Sequence, residues 1–192
     1  VLTGGYKFSD FAMLMRINAL TRSFEQEFTK YNIPYKVFGG LKFFERKEIK
    51  DVLAYLRLIA NPYDGEALTR IINVPRRGIG GRTIEVMEEY ASQNSLSLYD
   101  AVLDCDELPV NSGMKNKLRD FGSVIKSLVI SSLESPVNEF VREVITATNL
   151  REACEDENVL ANVDEFVASV DDFSRLNPNA TLSEYLSTVT LY

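Results

Sequence analysis

The stretch best equipped for chemistry is NVPRRGIGGRT, residues 73–83. Three glycines (Gly78, Gly80, Gly81) and three arginines (Arg76, Arg77, Arg82) crowd together there, directly before the helix-forming run IEVMEEY. Glycines admit left-handed backbone and the close approach of another chain. A helix starting near Arg82 or Thr83 offers unpaired N–H groups and the positive end of its dipole, which together suit a phosphate. Arg76, Arg77 and Arg82 are expected to ring that site with mobile charge, while Ile79 tucks inward and ties the turn to the core. Nothing in the device is aimed at base edges, so it would hold a nucleic-acid backbone without reading sequence. The competing reading is a helix–turn–helix corner with a solvated basic rim.

A second such turn occurs at NSGMKNKLRDF, residues 111–121, where Lys115, Lys117 and Arg119 follow a polar, glycine-containing start. Phosphate contact competes here with ordinary exposed lysines on an amphipathic helix. Arg16 and Asn18 stand where the apolar run FAMLM gives way to a helix. The carboxyl edge of a parallel sheet is a ligand-binding place, so this pair reads either as a phosphate clamp or as a helix cap with a surface arginine. Phe43 and Phe44 read as packing residues in preference to base-stacking ones. The acidic stretch EACEDENV lacks calcium-loop spacing and reads as a solvated helix end.

Composition narrows the field. The chain of 192 residues has no histidine and two cysteines, Cys105 and Cys154, without metal-ligand spacing. A histidine triad and a four-ligand zinc site are therefore excluded within it, and the two thiols are expected to pack as small hydrophobes in a reducing cytoplasm. There is no G-x-x-x-x-G-K-S/T, G-x-S-x-G or H-E-x-x-H, so the chain itself is expected to catalyse nothing. No apolar run reaches the ~20 residues of a membrane span. VLTGGYKFSD carries no signal-peptide pattern, and the missing initiator Met suggests a piece of a longer protein. The net charge of −7 hides two unlike halves. Residues 1–82 carry 14 Lys and Arg against 8 Asp and Glu, or +6; residues 83–192 carry 7 against 20, or −13. A polyanion needs a basic face, not a basic total.

The elements that must position these residues begin with FAMLM (11–15) as a buried strand, a helix over 18–32 and a strand at YKVF (35–38). That is a small βαβ unit with a parallel sheet. Asn32-Ile-Pro34 should stop its helix. After Gly39-Gly40 the pattern becomes helical throughout. Helices are expected over 45–61, 66–74, 82–93, 96–103, 113–131, 136–148, 158–175 and 181–190. In the first, Ile49, Leu53, Leu56 and Ala60 form a stripe that Val52 and Ile59 widen. Ser112, Ser135 and Thr181 are candidate N-caps, and Pro136 suits a first helical position. The fold class is mainly α: a βαβ fragment followed by an all-α domain of about 150 residues.

The segment DFAMLMRINALTRSFEQEFTKYNIPYKVFGGLKFFERKEIKDVLAYLRLIANP, with LTRIINVPRRGIGGRTIEVM after it, resembles the UvrD/Rep/PcrA-type superfamily 1 DNA helicases. The likeness is dense over residues 8–90 and looser beyond, where NVDEFVASVDDF carries it. The resemblance implies that residues 1–38 are the start of the RecA-like motor domain 2A. Gly39 and Gly40 would be the hinge, 39–188 the all-α 2B insertion, and 189–192 the return toward 2A. It implies a parent enzyme that binds ATP and Mg²⁺ and translocates on single-stranded DNA, whereas this chain lacks the Walker A loop, the Asp-Glu box and the arginine-finger motifs. By the same resemblance Gly78, Ile79, Gly80 and Thr83 touch duplex backbone, and Arg16 and Asn18 follow single-stranded DNA. The remaining motor domains would be its partners and the cytoplasm its place, with repair, replication restart and recombination all open. A different class of function is a protein-interaction or autoinhibitory module docking through the acidic half, with DNA contact incidental.

Overall fold

A computed structural model describes residues 5–13, 21–35, 43–154 and 156–189. The chain divides into two compact units, Val1–Lys47 and Glu48–Tyr192. In the first unit a 3₁₀ turn spans Phe8–Asp10, helix α1 spans Thr21–Lys30 and a second 3₁₀ turn spans Phe43–Glu45. Phe28 on α1 stacks against Phe24 and Tyr35, at 6.3 and 5.6 Å between ring centres. Helix α1 ends before the expected proline stop. Asn32 takes φ 52°, and the amides of Asn32 and Ile33 return to the carbonyls of Thr29 and Phe28. That is a Schellman closure, available to asparagine because it tolerates the left-handed region. Phe43 is buried, as a packing residue should be. The two expected strands are not seen among the described residues. Phe11–Met13 and Tyr35 are irregular, and the remainder of 11–15 and 35–38, with the Gly39-Gly40 hinge, lies outside them.

The second unit is helical throughout its described residues: α2 (Lys47–Ala60), α3 (Gly65–Ile71), α4 (Gly81–Asn94), α5 (Leu98–Leu103), α6 (Ser112–Ser131), α7 (Val137–Ala147), α8 (Glu157–Leu176) and α9 (Leu182–Val189). Helix α2 is its most deeply buried element. Ile49, Val52, Ala54, Tyr55, Leu56, Leu58 and Ile59 are all buried, whereas Ala60, expected on the stripe, is exposed. Apolar residues on nearly every side mark a helix surrounded by others, not one lying on a surface. The one buried carboxylate on it, Asp51, is held 2.8 Å from Arg70 Nε of α3, as a charge removed from water requires. Helices α4 and α5, α5 and α6, and α7 and α8 pack as neighbours in sequence. Gly122 lets α5 come close to α6: a methyl group there would sit 3.2 Å from Val102 Cγ1.

Helices α7 and α8 bury Val137, Phe140, Val141, Val144 and Ile145 on one and Val163, Phe166, Val167 and Val170 on the other. Tyr185 of α9 meets Phe166 and Phe173 edge-on, at 6.4 and 5.1 Å. Helix starts follow side-chain chemistry. Thr181 and Glu184 exchange bonds as a capping box. Asn111, not Ser112, caps α6, its Oδ1 accepting from Met114 N at 2.8 Å. Pro136 occupies the N-cap position of α7 and not the first helical one, which leaves Ser135 outside the helix. Asp156 caps α8, giving the acidic stretch before it the helix-end role expected. Cys105 is buried and Cys154 half-buried, both as free thiols. No described helix is long and apolar enough to cross a membrane. Phe166 has no exposed surface, so Phe166→Ala should cost about 3–5 kcal/mol, measured as the shift in chemical denaturation midpoint.

Candidate nucleic-acid interface

The loop between α3 and α4 is organised by one side chain. Helix α3 closes at Ile71, three residues before the expected end, and Asn73 then turns its amide oxygen onto the backbone ahead. Asn73 Oδ1 accepts from the N–H groups of Arg77, Gly78 and Ile79 at 2.8, 3.0 and 3.3 Å. Gly78 makes the bend possible with φ 74°, a region that side chains disfavour. Ile79 is buried to 1% and anchors the turn, as expected. Gly80 is the extended N-cap of α4, and its carbonyl accepts from Thr83 N and Ile84 N at 3.0 and 3.3 Å.

Three amides remain. Among the described residues, none accepts a hydrogen bond from Gly80, Gly81 or Arg82 N–H. They stand at the start of a helix of 14 residues, where the dipole favours negative charge. The donors open to an anion are therefore those of Gly80–Arg82, one step along the chain from the Gly78 and Ile79 amides that Asn73 holds.

Two arginines flank this point in sequence, and a lysine reaches the turn from α6. Arg76 and Arg82 are exposed and meet no carboxylate among the described residues. Lys117 comes from α6: a Cβ built on Gly78 would lie 2.7 Å from Lys117 Nζ. The two glycine-bearing turns, far apart in sequence, are thus brought together. This positive cluster lies on a chain whose net charge is −7.

Residues 2–192 match the family described as the UvrD-like helicase C-terminal domain. The chain belongs to that family. It is 38% identical over 195 residues to a Staphylococcus aureus protein named ATP-dependent DNA helicase PcrA, covering 97% of this chain and 27% of that protein. The protein of that name from Bacillus subtilis is 37% identical over 195 residues, covering 98% of this chain and 26% of the relative. The chain thus spans about a quarter of the length of these helicases.

Within this family member, the candidate residues separate into groups. Arg77 is not mobile charge. Its Nη1 lies 2.9–3.4 Å from the carbonyls of Ile71, Ile72, Val74 and Pro75, and its Nη2 donates to Tyr55 Oη at 2.8 Å. The guanidinium also rests 5.3 Å from the centre of the Phe121 ring. Thr83 is buried, so its part in the turn is the amide bond to Gly80. Lys115 Nζ donates to the Asp106 carbonyl at 2.6 Å, and Arg119 pairs with the Asp106 carboxylate at 2.6 Å. Both cations are drawn back toward the α5–α6 loop. Arg16 and Asn18 lie outside the described residues.

Asn73 and Tyr55 have roles in the turn that the sequence pattern does not reveal. An asparagine ahead of a glycine-rich bend is the signal that could have found Asn73, since its short amide readily bonds backbone nearby. Tyr55 carries no such signal within its helix. Its hydroxyl donates to Val74 O at 2.5 Å, and burial pushes it from 10.0 up to about 12, with Arg77 pulling the other way.

Gly78→Ala should destabilise the chain by about 1–2 kcal/mol through its positive φ, read by thermal melting. Above pH 10 the folded state keeps the Tyr55 proton that the unfolded state releases. The stabilisation linked to it is therefore full below about pH 10 and is lost toward about pH 12. Melting temperature should fall more steeply across that window for the wild type than for Tyr55→Phe.

Proposed function

We propose that this chain is part of an ATP-dependent DNA helicase and that its helical unit grips the backbone of duplex DNA without reading bases. The observation that carries the reading is the approach of Lys117 from α6 to Gly78, beside the open amides at the start of α4 and the exposed Arg76 and Arg82 that flank them in sequence. Helix-start amides supply directional donors to phosphate oxygens, and the flexible cations supply attraction that tolerates any base sequence. Membership of the UvrD-like family and likeness to proteins named as DNA helicases support the same reading.

On this reading residues 1–38 are the opening βαβ portion of the RecA-like domain 2A, 39–188 are the 2B insertion and 189–192 lead back toward 2A. Gly39 and Gly40 form the hinge on which 2B swings, regulating unwinding. Arg16 and Asn18 follow the single strand in the parent protein, which works on DNA in the cytoplasm. Its remaining motor domains are the partners of this chain. The chain has no phosphate-binding loop of the Walker type. ATP and Mg²⁺ would be held by other parts of the parent, and no step of hydrolysis runs through the residues described here.

Duplex affinity of the chain measured across a salt series tests the reading. Arg76→Ala/Arg82→Ala/Lys117→Ala should weaken binding about tenfold or more at low salt and flatten the salt slope by about 0.9 for each phosphate no longer neutralised. Equal affinities and equal slopes would remove the interface and leave a protein-docking module in its place.

A further inference from the structure

Resting on that reading, we propose that Asn73, Arg77 and Tyr55 form an internal latch that sets the phosphate-binding turn, as positioning residues that never touch DNA. Asn73 draws three successive N–H groups onto one oxygen. This fixes where the internally bonded amides end, at Ile79, and where the outward ones begin, at Gly80. Without that acceptor the Arg77–Ile79 amides would themselves need partners, and the sharp boundary between held and open donors would be lost.

Arg77 secures the same turn from beneath. Its guanidinium gathers carbonyls at and just past the end of α3, the usual work of a cation at a helix C-terminus, and joins them to Tyr55 Oη on α2. Its charge sits over the ring of Phe121 of α6. Phe121 is four residues beyond Lys117, so the two share one face of that helix. Arg77 therefore ties α2, the end of α3 and the face of α6 that carries Lys117 over Gly78. Lysine cannot replace it: a single ammonium has neither the planar fork nor the stacking face.

Tyr55 provides the decisive test because its side chain is wholly buried and cannot reach a duplex. In this chain, Tyr55→Phe, Asn73→Ala and Arg77→Lys are compared with wild type by duplex affinity across salt, by amide hydrogen exchange at residues 77–79 and by far-UV helicity. Each variant should bind about threefold to tenfold more weakly at unchanged helicity and unchanged salt slope, since the same phosphates are still neutralised. Asn73→Ala should also hasten exchange at Gly78 and Ile79. Tyr55→Phe preserves the packed ring and keeps the test informative if Asn73→Ala does not fold. Wild-type affinity in Tyr55→Phe or in Arg77→Lys would overturn the latch, as would a flattened salt slope in Arg77→Lys. Failure of the DNA reading has its own signature, a wild-type chain whose duplex binding ignores the loss of Arg76, Arg82 and Lys117, and the latch proposal falls with it.

Discussion

The basic cluster of this molecule is arranged around one amide oxygen. Asn73 Oδ1 satisfies three neighbouring N–H groups that a bend of this sharpness would otherwise strand. A buried or half-buried donor without a partner is costly, so a glycine-rich bend left to itself would sample many shapes. With the asparagine in place, Ile79 can be driven fully into the core while its neighbours stay at the surface. The bend becomes a rigid platform, and the direction of α4 follows from it.

Several basic side chains elsewhere are matched in pairs. Most acidic side chains of the second half sit on solvated helix faces or meet basic ones. Arg119 pairs with Asp106, Arg142 with Asp171 and Arg151 with Asp164. Exposed pairs of this kind add little stability, but they occupy cations that would otherwise join the basic cluster. Arg76, Arg82 and Lys117 have no such partner among the described residues, and all three belong to the glycine turn or the helix that meets it. A single net charge describes neither region.

The helical plan was legible because amphipathic spacing and cap residues act locally. All eight helices expected after the double glycine are found among the described residues, most with ends within two residues of the pattern. Failures came where a side chain acted at a distance. Helix α3 ends early because Asn73 serves the next turn, and Arg77 looked like surface charge because its carbonyl partners are created only by the end of α3. The depth of burial of α2 was also hidden, since a stripe predicts one buried face and tertiary packing covered the others. Of the site itself, the glycine turn and its basic neighbours could be read from sequence. The approach of Lys117 to Gly78 could not, because about forty residues of helix and loop separate them and only packing closes the gap.

Helices α7 and α8 carry their own alignment marks. Arg142 of α7 donates to Asp171 of α8, and Arg151, in the turn after α7, meets Asp164 of α8. Two bonds at separate stations along α8 act as a ruler. Sliding α8 by one turn in one direction would set Arg142 facing Arg175 and strand both aspartates. The apolar seam between these helices is rich in valine but carries Phe140 and Phe166, so a slip would also misplace two large rings. Alignment is therefore written twice, in the fit of those rings and in two aspartates that weigh little in stability.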